Sequence, residues 1–445
     1  MSSESRVTDS LAATRRLKVP AWVLAAAALG IVVGGAAFAV GAASQRPAPA
    51  WGALLINFLL WTSLAQGAVV WAAIFRVART TWSAPINRLG HSAAWFLPFS
   101  LVVFLALFLV GYEYWLPWIN ENLGDRSRWL NVPFLFARDG VGLLAMCVLS
   151  LVYVYAYLRF EARSGGKPHE TGVAAASDWR GPELRRADRV LSILGVALVT
   201  LYGVVYTIIG FDLAMSLNPH WYSALYGAYF FCGGLYSAMA ALIIMAVALR
   251  RWLGISAQLG PKQFQDLGNL LMAFAMLMTY LFFSQALPVW YENLPGETRF
   301  AIWLRNYQPW RTLAWTVLFA CYLGPFALLV VREMKENART LCGVALLVTA
   351  AMWLERALLV APALNLHLPR AQPLEHLAIR QITPLLPIES QPSPGFQIPF
   401  PALIVLVGLG FIGVFVITTA LFLARHPAPS RLDLALAQEK EALWP

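Results

Sequence analysis

Long apolar segments recur along the whole chain, and shorter polar stretches separate them. A helix needs about 20 consecutive apolar residues to cross a bilayer core of about 30 Å, and these segments reach that length. Their apolar character is continuous rather than alternating, which favours helices over half-buried strands. The pattern predicts ten membrane-spanning helices, at residues 20–43, 51–77, 92–118, 133–158, 189–217, 221–249, 265–290, 312–333, 338–362 and 399–424.

The composition agrees with this pattern. Of 445 residues, 59% are hydrophobic and only 13% are charged, and the mean hydropathy is +0.62. A soluble domain carries about 25% charged residues, so this class is excluded. The first apolar run, Ala21 to Ala43, is longer than the core of a secretory signal peptide, and we expect it to remain as a helix. The predicted fold is therefore an all-α, polytopic membrane protein.

Successive loops along the chain are alternately rich and poor in Lys and Arg. Six alternate segments, including both termini and the loop at 159–188, hold 23 of the 33 Lys and Arg. Because cytoplasmic loops are enriched in Lys and Arg, we expect both termini and the 159–188 loop to be cytoplasmic. The Pro-rich loop at 363–398 is then periplasmic. The net charge of +10 is spread over these loops, so no nucleic-acid partner is expected.

A short motif occurs twice, as LPWINENL at 116–123 and LPVWYENL at 287–294. The distance along the chain between the two copies pairs spans two to five with spans six to nine. It predicts two four-helix bundles, with spans one and ten at the periphery. The expected parts are 1–50 (N-terminus and first helix), 51–217 (first bundle), 218–362 (second bundle) and 363–445 (Pro-rich loop, tenth helix and cytoplasmic tail).

Several ionisable residues lie within or next to the spans, mostly toward the predicted outer side. They are Glu113, Arg138, Asp139, Asp212, Glu355 and Arg356 within spans, with His220 and Glu292 just beyond. Each costs about 2.5–3.5 kcal/mol in hydrocarbon, and such groups usually pair inside a bundle or a wet cavity. We expect Arg138 to pair with Glu113 or Asp212.

Glu355 and Arg356 are adjacent on one helix, so we expect them to point to separate partners. Together these residues predict a hydrated, charge-paired pocket at the outer end. Static salt bridges between helices and simple placement at the membrane interface are the alternatives.

Redox and nucleotide motifs are missing. No histidine lies in mid-span, which argues against haem b held between helices. The four cysteines have no metal-ligand spacing, and there is no P-loop or GxSxG motif. We therefore expect this chain to bind no redox cofactor of its own.

Three stretches resemble a known family. FDLAMSLNPHWYSALYGAYFFCGG, LGNLLMAFAMLMTYLFFSQALPVWYENLP and VREMKENARTL are similar to the corresponding parts of the ActF-type membrane subunits of bacterial alternative complex III. Those belong to the NrfD, or polysulfide-reductase membrane-subunit, superfamily. The resemblance covers roughly spans two to nine and is clearest in spans five to eight.

The resemblance implies a membrane subunit of a quinol:cytochrome c or quinol:oxidase complex in the bacterial cytoplasmic membrane. Implied partners are an iron–sulfur subunit, multihaem cytochrome c subunits and a sister NrfD-like membrane subunit, and quinone or quinol is the implied ligand. In that role Asp212 and His220 would accept protons, and Arg138 would hold a carboxylate in its charged form.

The middle of the spans is poor in carboxylates, which counts against a complete transmembrane proton path. A stand-alone secondary transporter and a purely structural anchor are the alternative functions.

Overall fold

The structure is a computed structural model that describes most of the chain. It covers residues 19–163, 182–293, 298, 308–365 and 399–433, apart from 81, 120, 220, 257, 427, 429 and 431. The first 18 residues, most of the 159–188 loop, nearly all of the Pro-rich loop and the end of the tail lie outside the described residues. The expectations for those segments stay predictions.

Ten long helices account for almost all of the described chain. They are α1 (Ala21–Ala42), α2 (Ala48–Val77), α3 (Ala84–Leu109), α4 (Val132–Arg163), α5 (Pro182–Leu213), α6 (Tyr226–Leu249), α7 (Pro261–Glu292), α8 (Trp310–Val330), α9 (Ala338–Asn365) and α10 (Phe400–Arg425). Each is long and apolar enough to cross a membrane, and no β-strand occurs among the described residues. The prediction of an all-α, ten-span membrane protein is confirmed.

Two nearly completely buried helices, α2 and α6, form the centre and pack against each other. Helices α3, α4 and α5 surround α2, while α7 and α9 pack against α6 and α8 packs against α7 and α9. Helix α1 lies along α10, and this pair packs against the first bundle at the periphery. The chain is thus an integral membrane protein built as two four-helix groups and one peripheral helix pair.

The third span differs most from its predicted bounds. It begins at Ala84 rather than residue 92 and ends at Leu109 rather than residue 118. The polar residues that hydropathy assigned to a loop are in fact buried helix, including Arg88. At the other end the helix stops before Gly111, where a Cβ would overlap the ring of Trp51.

The repeated motif occupies two different local structures. Its first copy follows the short helix Tyr112–Trp115 as a turn and buries Trp118. Its second copy continues α7 as helix up to Glu292 and leaves Trp290 72% and Tyr291 82% exposed. Sequence similarity therefore does not extend to local structure at this point.

Candidate functional site

The carboxylate of Asp212 is the centre of a buried ion pair near the end of α5. Arg138 Nε donates to Asp212 Oδ2 over 2.7 Å, and Arg138 Nη2 lies 2.6 Å from the same oxygen. The indole Nε1 of Trp129 donates to Asp212 Oδ1 over 3.0 Å. Both oxygens therefore have a donor, as a buried carboxylate requires.

The segment before α4 holds this arginine in place. The Asn131 side chain accepts a hydrogen bond from the Phe134 amide over 3.0 Å and caps the first turn of α4. One turn later Arg138 lies with its Cζ 3.8 Å from the Trp129 ring centroid and 4.5 Å from that of Phe134. Cation–π contact on these rings fixes the guanidinium plane toward Asp212.

Asp139 brings a second carboxyl to the same place. It is 1% exposed and close enough to Asp212 for the two carboxyls to interact. Neither of its oxygens accepts a hydrogen bond from any described donor. A buried carboxylate without a donor is costly, whereas a protonated Asp139 can donate to Asp212. Two carboxyls in such an arrangement can hold one proton between them.

The other outer candidates lie apart from this pair. Glu113 is exposed and accepts a hydrogen bond from the Tyr112 hydroxyl over 3.1 Å, a contact that raises the pKa of Tyr112. Glu292 is exposed at the end of α7. His220 lies outside the described residues.

Of the two partners considered for Arg138, the structure shows Asp212. It brings Arg138, Asp139 and Asp212 together and leaves Glu113 and Glu292 at the surface. The loop that carries His220 is tied to the first bundle, because Arg126 donates to the carbonyl of Pro219.

Glu355 and Arg356 form a separate buried group in the second bundle. Each has a partner from another helix, and the two side chains also lie close together: Arg356 Nη1 is 3.4 Å from Glu355 Oε2. The Tyr229 hydroxyl donates to Glu355 Oε1 over 2.6 Å and lies 2.6 Å from the Tyr322 hydroxyl. The guanidinium also lies over the Phe230 ring at 4.1 Å. Although Glu355 and Arg356 start from different directions on the helix, their side chains are long enough to reach each other.

Two local irregularities make room for this group. A π-helical turn at Leu318–Leu323 in α8 carries Tyr322. It also leaves the Cys321 carbonyl to accept from the Tyr236 hydroxyl over 2.9 Å. On α6, a Cβ at Gly233 would lie 3.0 Å from Arg356 Nη2, so this glycine allows the arginine to approach the helix.

A third buried group lies at the opposite end of the first bundle, which we call the His91 end. Arg76 contacts Asp433, and Arg88 Nη2 lies 2.6 Å from Glu161 Oε1. Arg76 lies at the end of the second predicted span and Arg88 outside the predicted spans, and both are buried within helices. This group was missed because hydropathy places helix ends wherever charge appears.

Neutral polar side chains occupy the interior between the two ends of the first bundle. The Tyr206 hydroxyl donates to the Thr62 carbonyl over 3.1 Å, and Gln66 Nε2 donates to Ser150 Oγ over 2.7 Å. The Tyr202 ring lies 4.4 Å from that of Tyr206. The interior is thus polar although it lacks carboxylates among the described residues.

Other contacts were not anticipated either. Trp129 lies in a loop, and nothing in the sequence marks it as a donor to Asp212. For the tyrosines a signal existed, because Tyr202 and Tyr206 are four residues apart and share one helix face.

Comparison with known proteins gives no further assignment. No family model matches this chain, and no curated protein matches it. Within the described ranges, no three His, Cys, Asp or Glu side chains are grouped as metal ligands.

Proposed function

We propose that this chain is a membrane subunit of a quinol-oxidising electron-transfer complex and that Asp139 and Asp212 form its proton-accepting site. The resemblance supports the complex and its partners: an iron–sulfur subunit, multihaem cytochrome c subunits and a sister NrfD-like subunit. In this proposal the chain carries no redox cofactor, and the electrons move in the partners. The complex lies in the bacterial cytoplasmic membrane, with both termini of this chain cytoplasmic.

The observation that carries the proposal is the donorless carboxyl of Asp139 beside the paired carboxylate of Asp212. Oxidation of a quinol to a quinone releases two electrons and two protons, and each proton needs an acceptor. The resting proton on Asp139 first passes to water; the ionised Asp139 then accepts one quinol proton at a carboxyl oxygen and again donates a hydrogen bond to Asp212, while the second quinol proton passes to water. Arg138 keeps Asp212 ionised, so the proton stays on Asp139 until it is passed on.

Asp139→Asn tests the site because an amide keeps the shape and cannot carry the proton. In the purified complex we expect quinol oxidation to fall about tenfold or more. Glu113→Gln is the matched control, since Glu113 is an exposed acid at the same end of the bundle, and it should keep the wild-type rate. If Asp139→Asn and Asp212→Asn both keep that rate, the site takes no part and the chain is a structural anchor.

Purification in mild detergent tests the complex separately. Co-purification of haem and an iron–sulfur protein supports the proposal. A monomer free of both would contradict it and favour the stand-alone transporter.

A further inference from the structure

Two helix faces at the His91 end bring four polar side chains together. Asn87 and His91 are four residues apart on α3, and each therefore lies on the same face of that helix. Tyr153 and Tyr157 are related in the same way on α4. The His91 ring centroid lies 4.3 Å from that of Tyr157 and 5.6 Å from that of Tyr153. All four side chains are buried, so the two faces meet in a polar region inside the bundle.

Three of these side chains lack hydrogen bonds that a buried polar group requires. Neither ring nitrogen of His91 has a hydrogen-bond partner among the described residues, and the Asn87 amide oxygen and the Tyr153 hydroxyl have none either. The Arg76 guanidinium approaches the Tyr153 hydroxyl but can only donate, so it offers that hydroxyl no acceptor. The Tyr157 hydroxyl, by contrast, donates to a carboxylate over 2.6 Å. Buried polar atoms are nearly always bonded to protein or to ordered water, so four unpartnered atoms in one place indicate a ligand.

The charges around this region decide which kind of ligand fits it. Arg76 contacts Asp433, and Arg88 Nη2 lies 2.6 Å from Glu161 Oε1. Each guanidinium thus has its own carboxylate, and neither is left to hold an anion. A neutral imidazole such as that of His91 has one donor and one acceptor nitrogen, a tyrosine hydroxyl can do both, and an amide oxygen accepts. Water, which both donates and accepts, fits this mixed set.

The region is enclosed by the helices around it. A Cβ at Gly90 would lie 2.6 Å from the Ala68 carbonyl oxygen, so the backbones of α3 and α2 are in direct contact next to His91. The Tyr153 side chain is 0% exposed and that of His91 is 1% exposed. A buried water needs about two to four polar partners, and the unpartnered atoms of this region can supply them.

We propose that the His91 end contains a buried water-binding site, in which an ordered water molecule bridges the His91 imidazole, the Asn87 amide oxygen and the Tyr153 hydroxyl. The water satisfies polar groups that the fold places inside the bundle, and it links α3 to α4. The site does not depend on the proposed electron-transfer role.

Hydroxyl-radical footprinting of the full-length chain in detergent tests the site. X-ray pulses split water, including bound water, and the radical oxidises the nearest side chain before it can diffuse away. Mass spectrometry then locates the added oxygen. Tyr153 is the reporter. Tyr236 is the matched control, because it is equally buried and its hydroxyl already donates to the Cys321 carbonyl over 2.9 Å.

Tyr153 should be oxidised at least about tenfold faster than Tyr236, because only Tyr153 has a water molecule in contact. His91→Leu and Asn87→Leu each remove polar partners of that water and should bring the Tyr153 rate close to that of Tyr236. Thr279→Val is the control variant: it removes a hydroxyl that is already bonded within its own helix, to the Ala275 carbonyl over 2.8 Å. It should leave the ratio of the two tyrosine rates unchanged.

Equal oxidation of Tyr153 and Tyr236 in the wild type would overturn the proposal, and this comparison needs no variant. A fast Tyr153 rate that persists in both His91→Leu and Asn87→Leu would overturn it as well, since other groups would then hold the water. Unfolding of a variant is recognised by a rise in the Tyr236 rate, and the wild-type comparison then decides.

Discussion

The two intramembrane charge pairs differ in construction. In the first bundle, Arg138 and Asp212 come from two helices and lie near helix ends, beside the loop that carries Trp129. In the second, Glu355 and Arg356 both come from α9. The first pair therefore links α4 and α5 to the loop that carries Trp129. The second pair links α9 to other helices only through further contacts, such as those with Tyr229 and Phe230.

Their access to solvent differs as well. The Arg138 side chain is 11% exposed, whereas those of Glu355 and Arg356 are 1% and 0% exposed. Tyrosine hydroxyls close the second group, while the first keeps a carboxyl without a donor. The difference is that both oxygens of Asp139 lack a donor beside a partly exposed arginine, whereas Glu355 has one hydrogen-bonded oxygen in a fully buried group, which makes the first group the better candidate for proton exchange. In the second group Tyr229 donates to one Glu355 oxygen, whereas the other oxygen and two Arg356 nitrogens have no hydrogen-bond partner among the described residues.

Arg138→Met should have the largest effect on stability. It leaves the Asp212 carboxylate buried without its cation, which costs about 3–5 kcal/mol. Thermal unfolding in detergent measures this loss. Because the double variant Arg138→Met/Asp212→Asn removes both charges, it should recover much of it. A single variant that melts like the wild type would show that Asp212 is not held as an ion.

Tyr229→Phe should have a smaller effect, in the second bundle. It removes the hydroxyl that joins Tyr322 to Glu355 and leaves buried polar groups unsatisfied, at about 1–3 kcal/mol. Tyr280→Phe, on the exposed face of α7, is the control and should unfold like the wild type. Equal melting of both variants would mean that the tyrosine pair does not hold the bundle together.

Trp129→Phe should have the smallest effect of the three. It keeps an aromatic ring beside Arg138 and removes only the indole donor to Asp212, worth about 1 kcal/mol. Trp290→Phe at the exposed end of α7 controls for the general loss of an indole. A loss as large as that of Arg138→Met would place the main support of Asp212 in the loop rather than in the arginine.

The helices could be predicted from the sequence because length and continuous hydrophobicity are enough to define a span. The start of α3 could not, because Asn87, Arg88 and His91 are buried against other helices and hydropathy cannot distinguish them from loop residues. From the sequence, Arg138 could pair with Glu113 or Asp212. The packing of α4 against α5 brings it to Asp212.

The contact between Glu355 and Arg356 could not be predicted from the sequence for a different reason. Neighbouring positions on a helix point about 100° apart, which is why separate partners were expected for Glu355 and Arg356. Side-chain length and the space beside Gly233 bring them into contact, and neither follows from spacing. Hydroxyl partners such as Tyr229 and Tyr322 come from distant parts of the chain and depend on the packing of α6, α8 and α9.

Infrared spectroscopy of the carboxyl C=O stretch tests the central claim most directly, because only a protonated carboxyl gives that band. The account predicts a band from the first bundle that disappears in Asp139→Asn and stays in both Glu113→Gln and Glu355→Gln. A spectrum in which Asp139→Asn loses no protonated-carboxyl band would contradict it, since no proton would then be held between Asp139 and Asp212.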